Sequence, residues 1–227
     1  MQPPGRLRRA LAPWLAGPGA TLGVLAGGCA LLLAGPGVAA PVAVAGLAAA
    51  RRLIRHRPMT AREQDFAAQV FGLSLPASAR IVITDLAGLG GSCFVVPAID
   101  GQILVNLGRG AYEDPIAFRC PGYPGAGKLF IHELAHAWQL AHGEYFPRLG
   151  RRLLAGPWAG HAFYRPPAQL APPWPPLNLE QQATVVDEWF CPGPLGPPGW
   201  AGTPGMSEAH PYWPYVRDVV RAAPRRA

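Results

Sequence analysis

The clearest periodicity in the chain begins at Thr60. Residues 60–63 read TARE, a capping-box pattern in which the Thr and Glu side chains each accept a hydrogen bond from the other's backbone N–H. Apolar residues then recur at helical spacing, namely Phe66, Ala67, Val70 and Phe71, until Gly72 supplies a stop. The pattern predicts one helix between Thr60 and Gly72.

Three short apolar runs predict strands. They are residues 80–84 (RIVIT), 93–96 (CFVV) and 103–106 (ILVN). The last two flank a turn signal at Asp100-Gly101, so we expect them to pair antiparallel. A small, mainly antiparallel sheet follows from this pattern.

Helical spacing returns twice after the strands. Residues 130–141 predict a central helix, and Leu179 to Phe190 predict a second one. Beyond Cys191 the many prolines predict an extended, irregular tail. The expected fold class is therefore α+β, with a small domain over residues 58–190 that has a short sheet, a central helix and a second helix, followed by a proline-rich tail over residues 191–227.

Residues 1–57 form an apolar leader of different character. Residues 10–50 contain no charged side chain, and arginines flank them on both sides. The length favours a membrane hairpin or anchor, and the flanking arginines favour a cytoplasmic location for the domain that follows. A soluble leader and export remain alternatives, because Ala, Gly and four prolines make the segment only moderately hydrophobic.

The formal charge of +7 does not indicate nucleic-acid binding. Seven of the twenty basic residues lie within residues 1–57, and the thirteen that remain are balanced by thirteen acidic residues. The rest of the chain thus has no basic excess with which to bind phosphates. The four cysteines are widely spaced and contain no CxxC pair, so they predict neither a zinc knuckle nor a dithiol redox site.

The segment from Phe130 to Gly143 reads FIHELAHAWQLAHG and combines an apolar helical face with a polar one. On a helix, His132 and His136 lie within about 40 degrees of each other and can bind one ion. Glu133 lies about 100 degrees round from His132, where it reaches a water on the metal without being a ligand. This HExxH arrangement predicts a Zn²⁺ site.

Two histidines leave a catalytic zinc site one protein ligand short. One candidate is His142, at the spacing of the metzincin pattern HExxHxxGxxH. The glycine of that pattern is Gln139 here, and on an unbroken helix His142 points away. The other candidate is Glu180, at the start of the second helix, which gives a gluzincin arrangement. We expect Glu180, with Asp187 and Glu188 as fallback ligands.

These residues predict a zinc-dependent peptide hydrolase in which Glu133 is the general base for a metal-activated water. A further group normally stabilises the oxyanion, and His161, Tyr164 and His210 are loop candidates among which the sequence does not choose. Gln139 either supports the ligands or nearby backbone, or faces solvent. The alternative function is a non-catalytic accessory module of a secretion apparatus, in which zinc only staples the fold.

The run from Arg57 to Gly72, the segment FIHELAHAWQ and the segment LEQQATVV together resemble the bacterial Vgr-related family of metallopeptidase-like proteins. That family is associated with Rhs and with type VI or contractile injection systems. The resemblance covers roughly residues 57–190. It implies a gluzincin-like α+β domain with zinc bound by His132, His136 and Glu180, with Glu133 catalytic, and with a secretion-system partner.

Overall fold

The computed structural model describes residues 54–86, 92–98, 101–143 and 161–224. The predicted leader lies almost entirely outside these ranges, so its membrane hairpin or anchor stays a prediction. Within them, no helix has both the length and the apolar character needed to cross a bilayer. The described residues divide into a sheet unit, within residues 54–58 and 79–109, and a helical unit, within residues 59–78 and 110–224.

The sheet unit contains four strands, β1 (His56–Pro58), β2 (Ile81–Thr84), β3 (Phe94–Pro97) and β4 (Ile103–Asn106). Their order across the sheet is β1-β2-β4-β3. The outer pairings, β1 with β2 and β3 with β4, are antiparallel, whereas β2 and β4 run parallel with Ile83 opposite Val105. Both central strands are buried along their length, which explains their continuous apolar sequences. The α+β prediction is confirmed, with one parallel pairing in the mainly antiparallel sheet.

Helix α1 (Ala61–Phe71) begins and ends where the sequence predicts. Thr60 Oγ1 accepts the backbone N–H of Glu63 at 3.2 Å, and the Glu63 carboxylate accepts the N–H of Thr60 at 2.8 Å. Gly72 ends the helix with a φ of 59°, a backbone conformation that glycine adopts without steric cost.

The helices after β4 are α2 (Gly108–Tyr112), α3 (Lys128–Ala141), α4 (His161–Tyr164) and α5 (Leu179–Phe190). Helix α3 contains the HExxH segment and is buried from Lys128 to Gln139. Lys128, at the start of α3, contacts Glu188 near the end of α5. Gln139, near the end of α3, contacts Leu179 at the start of α5. The two helices therefore pack antiparallel.

The prediction of an irregular tail beyond Cys191 was wrong for residues 213–221. The chain forms a helical turn, α6 (Trp213–Tyr215), that continues into a π-helix (Val216–Arg221). The guanidinium of Arg221 lies over the rings of Trp189 and Trp213, at 5.2 and 5.1 Å from their centroids. It also donates to the carbonyls of Gln69 and Val70 at the end of α1. These tertiary contacts outweigh the irregular backbone that the prolines favour.

Candidate metal centre

Two helices supply the candidate ligands. His132 and His136 lie about one turn apart on α3 and on the same face, as helical spacing requires. Glu180 lies in the first turn of α5, whose start is held by a capping box between Asn178 and Gln181. The structure brings His132, His136 and Glu180 together into one buried group that could hold a metal ion.

Two of the distances within this group fit a tetrahedral zinc ion. One ligand atom from each residue lies within 4.8 Å of the other two. The Oε2 atom of Glu180 is 3.3 Å from Nε2 of His132 and 3.5 Å from Nε2 of His136. Zinc–ligand bonds of about 2.0–2.1 Å at tetrahedral angles separate neighbouring ligand atoms by about 3.3–3.4 Å. Three protein ligands also leave the fourth coordination position for water or substrate, as in catalytic zinc sites.

The other ring nitrogen of each histidine is held by a buried acceptor. Nδ1 of His132 lies 2.7 Å from Oδ2 of Asp187, and Nδ1 of His136 lies 2.8 Å from Oε1 of Gln139. The Gln139 amide donates to the carbonyl of Leu179 and to Gln182 Oε1, both at 2.9 Å, so its oxygen is left to accept from His136. Both Nδ1 atoms therefore donate, and both Nε2 atoms are directed toward Glu180. The solvent-facing interpretation of Gln139 was wrong.

Asp187 and Glu188, the fallback ligands, lie behind the candidate ligands. While Oδ2 of Asp187 accepts from His132, its Oδ1 lies 3.3 Å from Nζ of Lys128. Glu188 Oε1 accepts from the same Nζ at 2.6 Å, and its Oε2 accepts the N–H of Gly193. Neither carboxylate belongs to the group that could hold the ion.

The electrostatics of the group favour a cation. Burial alone would lower the pKa of His132, but hydrogen bonds to Asp187 and Glu180 outweigh it and raise that pKa to about 10. Burial has the opposite effect on Glu180 and would raise its pKa. The charge of His136 and the hydrogen bonds from both histidines outweigh burial and bring the pKa of Glu180 below its ordinary value. Without metal, His132 therefore holds a proton between two carboxylates, at the position where a metal ion would supply positive charge.

Glu133 and Tyr123 complete the polar surroundings. Glu133 is buried on α3 next to His132. Tyr123, in the loop before α3, places its ring edge-on to that of His132, with centroids 5.3 Å apart. Burial raises the pKa of its hydroxyl, and the charges of Asp187, Glu133 and Glu180 raise it further. Tyr123 is thus a neutral donor near the candidate ligands. The sequence analysis missed it, because a tyrosine in a loop has no distinguishing spacing.

Residues named earlier as oxyanion candidates have different surroundings. Tyr164 lies in α4, with its ring edge-on to that of Phe163 and centroids 5.7 Å apart. His210 lies instead against Trp200 and Tyr212, and burial lowers its pKa to about 4. The side chain of His161 lies outside the described residues.

His142, the metzincin-type candidate, lies outside the ligand group. Its ring stacks on Trp138 with centroids 4.5 Å apart, and its Nδ1 donates to the Trp138 carbonyl at 2.8 Å. Nε2 of His142 lies 3.1 Å from the carbonyl of Pro224. Both ring nitrogens are therefore engaged away from Glu180.

The chain matches no protein-family model, no curated protein and no solved structure.

Proposed function

We propose that the protein is a zinc-dependent peptide hydrolase, with His132, His136 and Glu180 as ligands and Glu133 as general base. The observation that carries the proposal is the convergence of three ligand atoms within 4.8 Å of one another, with the Glu180 oxygen at near-tetrahedral separations of 3.3 and 3.5 Å from the two Nε2 atoms. The Nδ1 contacts of both histidines support it, because they present the Nε2 lone pairs to a common point.

In this mechanism the chain's own side chains move the proton and stabilise charge. Bound zinc supplies a Lewis acid for the scissile carbonyl and lowers the pKa of a water to about 7. Glu133 takes the proton of the attacking water and then passes it to the departing amine. The hydroxyl of Tyr123, neutral because its pKa is raised, donates to the oxygen of the scissile carbonyl as negative charge develops there.

A second candidate function is favoured by the burial of the site. His132, Glu133, His136 and Glu180 are only 2–4% exposed, which leaves little surface for a substrate in this conformation. A metal held there would cross-link α3 to α5 whether or not a peptide enters. The second candidate is therefore a zinc-stapled, non-catalytic module, for which a secretion apparatus is the predicted partner.

Metal analysis and peptide cleavage by the full-length chain separate these functions. The hydrolase should contain one zinc per chain and cleave peptides from a broad library. Glu133→Gln should abolish cleavage while retaining zinc, and Glu180→Ala should lose zinc, whereas His142→Ala should keep both zinc and cleavage. A zinc-loaded wild type that is inert on broad libraries would favour the staple. A folded chain that binds no divalent ion would exclude both functions.

A further inference from the structure

The structure contains a buried chain of three groups that ends at a candidate ligand. Nζ of Lys128 lies 3.3 Å from Oδ1 of Asp187, and Oδ2 of the same carboxylate lies 2.7 Å from Nδ1 of His132. Lys128 is the only lysine in the sequence, and its side chain is 4% exposed. A lysine enclosed to this extent is rare unless it is paired.

The position of Lys128 follows from helix geometry. It precedes His132 by four residues on α3, so both side chains lie on the face that meets α5. The loop after α5 encloses the ammonium: a Cβ atom at Gly193 would lie 2.8 Å from Nζ of Lys128, and one at Gly196 would lie 2.6 Å from Oε2 of Glu188. A side chain at either glycine would therefore require the ammonium or the Glu188 carboxylate to move.

Lys128 has two carboxylate partners, and only one of them touches a histidine. Asp187 and Glu188 are adjacent on α5, and each is 1% exposed. Two buried negative charges this close repel each other, and the ammonium between them offsets that repulsion. Asp187 thus lies between two cationic partners, with one oxygen in an ion pair with Lys128 and the other in a hydrogen bond with His132.

We propose that Lys128 is a positioning residue for the metal centre: its ammonium fixes the Asp187 carboxylate, which in turn orients His132 so that Nε2 faces Glu180. This role rests on the proposed function in taking His132 as a ligand. Lys128 touches neither the ion nor a substrate. Its loss loosens the orientation of a ligand and leaves the three ligands in place.

The test compares Lys128→Met, Asp187→Asn and Glu188→Gln with the double variants Lys128→Met/Glu188→Gln and Lys128→Met/Asp187→Asn in the full-length chain. Zinc affinity is measured by competition with a chromogenic chelator, ligand geometry by the visible spectrum of bound Co²⁺, and stability by melting of the metal-free protein. Lys128→Met should weaken zinc binding about tenfold and alter the Co²⁺ spectrum. The Lys128→Met/Asp187→Asn variant should bind zinc no more weakly than Asp187→Asn, since both changes interrupt the same series of contacts from Lys128 to His132.

The Glu188→Gln background distinguishes a role of Lys128 in orienting His132 from its contribution to folding stability. Removing both Lys128 and the Glu188 charge should restore the melting temperature lost in Lys128→Met, because no unpaired carboxylate remains at residue 188. Zinc affinity should stay about tenfold weaker than in the wild type, because Asp187 still lacks its ion pair with Lys128. Full recovery of affinity would overturn the proposal and make Lys128 a counter-ion of Glu188 alone. Wild-type affinity in Lys128→Met would also overturn it, whereas a wild type that binds no zinc would refute the proposed function itself.

Arg221→Met is the matched control. It removes a half-buried cationic contact of the helical unit with Val70 and Trp213 and leaves the chain from Lys128 to His132 intact. It should lower the melting temperature with no change in zinc affinity or in the Co²⁺ spectrum. A tenfold loss of affinity in Arg221→Met would show that general destabilisation weakens the site, and would remove the case for Lys128.

Discussion

Zinc binding should release the proton that His132 holds in the metal-free protein. Carboxylates face both of its ring nitrogens, Asp187 at 2.7 Å and Glu180 at 3.3 Å, and they raise its pKa to about 10. A pH of 7.5 is about 2.5 units below that pKa, so the imidazole is almost entirely protonated. A metal ion that takes Nε2 must displace this proton.

The size of the effect follows from that difference. Displacing the proton at pH 7.5 should weaken apparent zinc binding about 300-fold, or ~3.4 kcal/mol, relative to a site in which His132 is already deprotonated, its state well above pH 10. Below that pH the apparent affinity should rise about tenfold for each unit of pH.

Calorimetry in buffers of different ionisation enthalpy counts the released protons. Asp187→Asn is the control, because it removes the strongest interaction that raises the pKa of His132 and leaves any proton lost by a metal-bound water unchanged. The variant should release fewer protons at pH 7.5 and show a shallower pH dependence. Equal proton counts and equal slopes in the two proteins would refute the reasoning.

Three further predictions follow from contacts in the helical unit. In the protein stripped of metal by a chelator, the melting temperature should fall as pH rises from 6.5 toward about 10, because folded His132 keeps a proton that the unfolded chain releases. A melting temperature that rises over this pH range would contradict the prediction. Tyr123→Phe should lower kcat about 100-fold with zinc content unchanged, and an unchanged kcat would exclude Tyr123 as the oxyanion donor. Arg221→Met should cost about 2 kcal/mol, because two charge-assisted hydrogen bonds and the contacts with Trp189 and Trp213 are lost. Thermal melting should show a fall of about 4–8 °C.

Local patterns predicted the elements that hold the candidate ligands. The bounds predicted for α5, Leu179 to Phe190, are those observed, because helical spacing is a property of residues close together in the sequence. The spacing of His132 and His136 places them on one face for the same reason. The capping box at Thr60 is a further case in which side chains three residues apart settle where a helix begins.

Contacts between distant residues could not be predicted in this way. The parallel pairing of β2 with β4 depends on a crossover that no short apolar run specifies. Tyr123 approaches His132 only because the loop before α3 folds back, and Lys128 meets Asp187 only because α3 and α5 are antiparallel. The π-helix near the C-terminus likewise depends on a stack between Arg221 and two tryptophans from separate segments.

Because the loop after α5 lies so close to Lys128 and Glu188, two of its glycines should rarely be replaced during evolution. A Cβ at Gly193 or Gly196 would lie under 3.0 Å from the ammonium or from the Glu188 carboxylate and would displace it from the ion pair. In chains that descend from a common ancestor with this one, both positions should remain glycine wherever the lysine and the glutamate remain. Fragments that stop at Phe190 should admit water to the ion pair, so a minimal expressible form must extend beyond Gly196.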